Sequence, residues 1–75
     1  MKKLSTCQRG EKLKVLKLNA EKALKQRLIS FGIMKEAIIE VLEHSPAKST
    51  IEIKVGKMRI ALRAREADMI DVEVL

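Results

Sequence analysis

Few side chains in this sequence could carry out covalent or metal chemistry. Cys7 is its only cysteine and His44 its only histidine. A nucleophile needs a base within hydrogen-bond reach, and a zinc or ferrous-iron site needs several histidine, thiolate or carboxylate ligands at suitable spacings. No CxxC or HxxxH spacing occurs, and no glycine-rich phosphate loop. The sequence therefore predicts no enzyme active site, no metal site and no bound cofactor.

The titratable residues have structural interpretations instead. Cys7 precedes the first predicted strand and is expected to be a small core residue. His44 begins a loop by composition and is expected to be a polar surface residue. Glu52, Asp71 and Glu73 alternate with apolar residues in predicted strands, so we expect all three carboxylates to face solvent.

The length and composition favour one small domain over residues 1–75, with a core made almost entirely of aliphatic side chains. A single cysteine cannot form a disulfide within the chain, which favours the reducing cytoplasm. Met1, Lys2 and Lys3 make a basic start, but no apolar stretch of the kind found in signal peptides follows. No run approaches about 20 apolar residues, so we expect no direct insertion into a membrane.

The charge is unevenly distributed along the chain. The net charge is +6. Residues 1–35 contain ten Lys or Arg and two acids, whereas residues 36–75 contain six Lys or Arg and eight acids. This polarity could steer the domain toward nucleic acid, membrane headgroups or an acidic protein. A solubilising charge coat explains it equally well.

Hydropathy patterning predicts a mainly β fold with one helix. Residues 12–18 alternate as a strand, and the alternation slips after Val15, which indicates a β-bulge. The spacing then predicts a helix over residues 20–31, with Asn19 as its N-cap and Gly32 just beyond its end.

The second half of the chain reads as strands separated by short turns. Gly56 and Lys57 suit a type II′ hairpin between two strongly alternating segments, and a single helical turn is predicted over residues 65–69. The predicted strands of this half cover residues 37–43, 51–55, 58–62 and 70–74, with a loop at 44–49. Five short strands and one inserted helix are typical of a small closed barrel.

Two stretches resemble the FeoA family. Residues 27–33 (RLISFGI) resemble that family's helix end, and residues 59–63 (RIALR), with the following Glu66, Ala67 and Ile70, resemble its last hairpin strand and final turn. Gly10-Glu11, Pro46 and the 51–53 strand (IEI) also fall at the family's spacing, so the resemblance extends from about residue 4 to about residue 74.

The chain departs from the family pattern at two turns. Lys35-Glu36 stands where the family usually has Pro-Gly, and residues 47–49 (AKS) stand where it usually has a glycine and an acid. A non-glycine residue at each presumed tight turn could cost about 1 kcal/mol if its backbone needs a positive φ.

The resemblance implies an SH3-like five-stranded barrel with an inserted α-helix and a short helical turn before the last strand. It implies a non-catalytic, cytoplasmic accessory protein of ferrous-iron uptake. The implied partner is FeoB, a membrane permease with a cytoplasmic GTP-binding domain. Binding to FeoB would recruit this protein to the inner face of the membrane. The bound protein would alter the assembly, the gating or the GTP turnover of the permease. A similar domain ends some metal-dependent transcriptional repressors, so a stand-alone relative of that domain is an alternative.

The predicted helix indicates where a partner could bind. At 100° per residue, Lys22, Lys25, Gln26 and Ile29 lie opposite the buried face, next to the turn that contains Met34. An apolar residue among basic ones is a reasonable partner contact. The alternative is that Ile29 packs under the following loop or the N-terminal stretch.

A small basic nucleic-acid-binding barrel is the alternative from another functional class. Single-strand binders stack bases on aromatic residues, and Phe31 is the only aromatic residue, with a predicted position in the core. We therefore expect no nucleic-acid partner. Self-association through an edge strand is compatible with a barrel of such short strands.

Overall fold

The computed structural model describes residues 2–75, which form six strands, a 3₁₀ turn and two helices. In chain order these are β1 (Lys2–Lys3), the 3₁₀ turn (Leu4–Thr6), β2 (Lys12–Leu18), α1 (Lys22–Ser30), β3 (Ile38–His44), β4 (Thr50–Val55), β5 (Met58–Arg63), α2 (Ala64–Ala67) and β6 (Ile70–Val74).

All six strands belong to one antiparallel sheet in the order β1-β6-β2-β3-β4-β5. The five predicted strands are confirmed, and the two-residue β1 adds a sixth that the sequence did not predict. The register of β2 against β6 shifts between Val15 and Lys17, which confirms the predicted bulge. A second shift lies between Val41 and Glu43, where β3 pairs with β4.

Aliphatic side chains fill the space inside the bent sheet, because alternate residues of each strand point inward. In β3, for example, Ile39 and Val41 are buried. From the helices, Leu28 and Ala67 join the same core, and Phe31 packs against it half-buried.

Helical segments complete the barrel where the hydrogen-bonded ladder ends. Strands β1 and β5 are the two ends of the sheet. Helix α2 contacts β5, β4 and the 3₁₀ turn, and that turn in turn contacts β6. The mainly β barrel with an inserted helix and a helical turn before its last strand is thus confirmed.

Helix α1 is shorter than predicted, at Lys22–Ser30 instead of 20–31. Its N-cap is Glu21, with extended backbone and no side-chain cap hydrogen bond. The predicted cap, Asn19, is therefore wrong, because its Nδ2 donates a hydrogen bond across the sheet to Asp71 Oδ2 at 2.9 Å.

The turns follow the sequence closely. Gly56 has a φ of 60° at the first central position of the β4–β5 hairpin, where Val55 pairs with Met58. The two family departures adopt positive φ with non-glycine residues, 73° at Glu36 and 57° at Lys48. The condition for the cost of about 1 kcal/mol, a positive φ at a residue with a Cβ, is therefore met at both turns.

Candidate functional site

The outer face of α1 carries the residues predicted to bind a partner. Lys22, Lys25 and Gln26 are exposed. Ile29 is 40% exposed and Met34, beyond the helix end, is 43% exposed. Ile29 therefore keeps a substantial part of its surface open to solvent.

The structure brings three of these five residues into one groove of about 610 Å³, between α1, β2 and the loop that follows α1. We call this space the α1–β2 groove. It is lined by Leu16, Lys17, Leu18, Lys25, Ile29, Met34 and Lys35. Lys22 and Gln26 lie on the same helix but do not line the groove.

Sequence reasoning missed the strand side of this groove. Leu16 and Leu18 are half-buried, so part of each side chain remains available at the surface. The signal was present in the slip of alternation after Val15, because an inserted residue turns the following side chains relative to the core. The slip indicated a bulge, but it did not indicate which element would lie beside it.

Backbone hydrogen bonds hold the loop after α1 against strand β2, and both of these segments line the groove. The Val15 N–H donates to the Ala37 carbonyl at 2.9 Å, and the Glu36 N–H donates to the Val15 carbonyl at 2.7 Å. These bonds hold the segment after α1 against β2 immediately before the bulge. They place Met34 and Lys35 beside Leu16.

The end of α1 orients Ile29 and Met34. Gly32 has a φ of 90°, and the buried Ile33 donates its N–H to the Leu28 carbonyl at 2.9 Å. This is the left-handed glycine ending that the sequence predicted. The chain reverses there, so that Ile33 enters the core while Met34 remains at the surface.

The charge around the groove is basic throughout. Lys17, Lys25 and Lys35 come from a strand, a helix and a loop, and no acidic residue lines the groove. The salt bridges among residues 2–75 join Lys2 to Glu11, Lys3 to Asp71, Arg27 to Glu66 and Arg59 to Glu52. The three lysines of the groove are therefore free of salt bridges within the described chain.

Asp71 does not face solvent as predicted, since it is only 6% exposed. Its carboxylate accepts hydrogen bonds from Lys3 Nζ at 2.8 Å and Asn19 Nδ2 at 2.9 Å. The bond from Lys3, followed by the bond from Asn19, lowers the pKa of Asp71 below its usual value. Its role is to tie β1 and the β2–α1 connection to β6.

The other two predicted surface acids lie nearer to solvent. Glu73 is exposed. Glu52 is half-buried and forms a salt bridge with Arg59, whose Nη2 lies 3.0 Å from Glu52 Oε1. Neither belongs to a cluster of metal ligands. Within residues 2–75, no three His, Cys, Asp or Glu side chains lie close enough together to hold a metal ion.

Cys7 is 1% exposed, which confirms its predicted position in the core. Burial raises the pKa of the Cys7 thiol, so little of the reactive thiolate is present at neutral pH. His44 is half-buried at the end of β3, not on a free loop as predicted, because its Nε2 donates to the Cys7 carbonyl at 2.7 Å. The imidazole thus contacts the backbone of Cys7 and anchors the N-terminal segment to β3.

A second groove lies between α1 and α2, where Arg27 Nη2 donates to Glu66 Oε2 at 3.0 Å. Glu66 is buried, and its other oxygen accepts from the Arg63 N–H at 2.9 Å. Both carboxylate oxygens are therefore engaged within the fold. Glu21 and Arg65 also line this groove and form no salt bridge within residues 2–75, so its lining carries two charges of each sign.

No helix within residues 2–75 has the length and apolar character needed to cross a bilayer.

Comparison with known proteins agrees with the resemblance seen in the residues. The FeoA domain profile matches residues 2–74. The chain belongs to the FeoA family. A Campylobacter jejuni relative named as Fe(2+) transport protein A is 35% identical over 66 residues, covering 88% of this chain and 89% of the relative. A Helicobacter pylori relative with the same name is 34% identical over 55 residues, covering 73% and 72% of the two chains.

Solved FeoA structures share the fold. The solution structure of FeoA from Chlorobium tepidum superposes with a TM-score of 0.93 at 32% identity, covering 99% of this chain and 70% of that one. A crystal structure titled as the iron uptake regulatory protein FeoA gives a TM-score of 0.89 at 33% identity, covering 97% and 96%.

A manganese-dependent transcriptional repressor contains the same fold. It superposes with a TM-score of 0.89 at 21% identity, covering 99% of this chain but 36% of the repressor. Identity this low relates the FeoA-family chain to the repressor in fold alone.

Proposed function

We propose that this FeoA-family protein is a non-catalytic accessory of ferrous-iron uptake that acts in the cytoplasm. Its partner is the cytoplasmic region of a FeoB-type iron permease, and the α1–β2 groove is the surface that binds it. The observation that carries the proposal is a set of exposed or half-buried apolar side chains beside three lysines that form no salt bridge within the described chain.

The physical chemistry of the groove supports binding in preference to catalysis. Ile29 and Met34 present apolar surface that a partner could remove from water, which is favourable at about 25 cal/mol per Å². Charged residues around an apolar centre are the usual anatomy of a protein interface. The relatives' names add the link to Fe(2+) transport.

An accessory protein without chemistry of its own acts by differential binding. Suppose that the groove binds one conformation or assembly state of the permease more tightly than another. Saturating binding then multiplies the equilibrium constant between the two states by the ratio of the two affinities. Assembly, gating and GTP turnover of the permease are the three quantities that such binding would change.

The first test measures binding of the chain to the purified cytoplasmic region of the permease from the same organism. Ile29→Asp should weaken binding at least about tenfold, because it places a charge in the apolar contact. Met58→Asp is the matched control, since Met58 is also exposed (52%) but lies at the β4–β5 hairpin, outside the groove.

Each outcome of this test is informative. Binding that Ile29→Asp weakens at least about tenfold and Met58→Asp leaves intact supports the proposal. Absence of binding to the permease contradicts it, as does binding that Ile29→Asp leaves unchanged. Steep salt-dependent binding to an oligonucleotide, together with no binding to the permease, would favour a nucleic-acid role instead.

A further inference from the structure

We infer that the α1–β2 groove recognises an acidic amphipathic helix, whose apolar face lies on Leu16, Ile29 and Met34 and whose carboxylates pair with Lys17, Lys25 and Lys35. This inference rests on the proposed function, since it states what kind of segment the permease would present to the groove.

Charge complementarity is the first argument. The lining contains three lysines and no acid, and Glu36, which follows Lys35 in the chain, does not line the groove. None of the three lysines forms a salt bridge within residues 2–75. Lys17 lies opposite Asp71 in the sheet and helps to lower the pKa of that carboxyl, although no salt bridge joins the two. A carboxylate bound at Lys25 or Lys35 would displace no salt-bridge partner within the described chain. A basic segment would meet three like charges.

The arrangement of the lining is the second argument. Strand β2, helix α1 and the loop after α1 each contribute both a lysine and at least one apolar side chain to the groove. An amphipathic helix has an apolar stripe about 100° wide with polar residues on either side. Its stripe and flanks match an apolar strip that has cations around it, the arrangement of helix-in-groove recognition.

The rest of the surface does not offer the same combination. The groove between α1 and α2 contains the Arg27–Glu66 pair and also Glu21 and Arg65, so its acidic and basic side chains are equal in number. The hollow beside Ile38 contains Lys12 and Lys54 but also Glu40, which pairs across the sheet with both strands. An acidic, apolar ligand is therefore best matched by the α1–β2 groove.

The test is an NMR titration of the ¹⁵N-labelled chain with designed peptides of about 18 residues, long enough for stable helices. One peptide has leucines on one face and glutamates on the flanks, and a second has lysines in place of the glutamates. Vesicles containing an anionic lipid are the third probe. The acidic peptide should shift the amide signals of Leu16, Ile29 and Met34, and its affinity should fall as salt is raised.

Charge reversal tests the assignment of the lysines. The Lys25→Glu/Lys35→Glu double variant should weaken binding of the acidic peptide at least about tenfold, and it leaves Lys17 opposite Asp71 unchanged. Lys48→Glu/Lys57→Glu makes the same change of net charge at exposed positions outside the groove and should leave binding nearly unchanged. The inference is overturned if the acidic peptide does not bind, if both peptides bind equally, or if only the vesicles shift the groove signals.

The same variants separate this inference from the proposed function. Suppose that the permease binds and that the Lys25→Glu/Lys35→Glu variant binds it equally well. The proposed function then survives, and the acidic character of the partner segment is rejected. Suppose instead that the acidic peptide binds the groove but the permease does not bind at all. The chemistry of the groove is then upheld, and the proposed partner is rejected.

Discussion

Arg27 Nη2 and Glu66 Oε2 lie 3.0 Å apart and connect helix α1 to helix α2. The two residues are 39 positions apart in the chain, and Glu66 is buried while the Arg27 side chain is 53% exposed. Glu66 also accepts the Arg63 N–H, so one carboxylate stabilises both the start of α2 and its contact with α1.

Removing Glu66 should therefore cost more than removing Arg27. Glu66→Ala loses a helix cap and an ion pair, which together contribute about 1–2 kcal/mol. Arg27→Met loses only the half-exposed pair and should cost less than about 1 kcal/mol. Urea denaturation followed by far-UV circular dichroism measures both. Glu52→Ala, which breaks the more exposed pair with Arg59, is the control and should cost least.

Leu28 and Ile29 are adjacent in α1 but differ in burial, at 0% and 40% exposed. Leu28→Ala should cost about 2–5 kcal/mol, because it leaves a cavity in a small core. Ile29→Asp should cost about 1 kcal/mol or less, although it is expected to weaken partner binding at least about tenfold. Thermal denaturation of the two variants measures the difference. A large loss of stability in Ile29→Asp would mean that this side chain contributes to folding instead of to the partner surface.

Asp71 should make the protein sensitive to acid. Because its pKa is lower in the folded chain than the usual value of about 3.9, its ionisation stabilises the fold above that value. The contribution is lost as the pH falls through the folded pKa. Asp71→Asn should be less stable at pH 7 and should lose less further stability between about pH 5 and pH 2.

Urea denaturation at a series of pH values measures this effect. Glu73→Gln removes the exposed carboxylate two positions away, and it should leave the pH profile close to that of the unmodified chain. Identical profiles for Asp71→Asn and the unmodified chain would show that the bonds from Lys3 and Asn19 do not favour the ionised form.

Gly32 combines a positive φ with a close neighbour. A Cβ at this position would lie 3.2 Å from Val55 Cγ1, whereas one at Gly10, whose φ is 89°, would have no heavy atom within 4 Å. Gly10→Ala should therefore cost about 1–2 kcal/mol through its backbone alone. Gly32→Ala should cost more, because the valine must also move. Equal melting temperatures for the two variants would show that the core beside Val55 adapts freely.

The bulge, the turns and the outer face of the helix could be predicted because each depends on residues that are close together in the sequence. The bulge after Val15 followed from a slip in a two-residue repeat, and the left-handed turns at Glu36 and Lys48 followed from positions where glycine is usual. Ile29 was placed on the outer helix face from the helical repeat alone, and the structure leaves it exposed.

Features that join distant parts of the chain could not be predicted in this way. The alternation at Asp71 indicated a solvent-facing carboxylate, but Lys3 and Asn19 lie 68 and 52 residues away and cover it. The groove was missed for the same reason: Leu16 and Ile29 lie on separate elements, and only the packing of α1 against the bulged strand places them together.

The position of β6 between β1 and β2 has a consequence for protein synthesis. Residues 2–3 have no neighbour in the sheet, and residues 12–18 lack one of theirs, until the ribosome has made residues 70–74. Until β6 is in place, β2 is paired on one side only, and a second chain or a chaperone could bind its open edge. A purified variant that lacks residues 70–75 should therefore be cleaved by proteases within β2, where the full chain resists them.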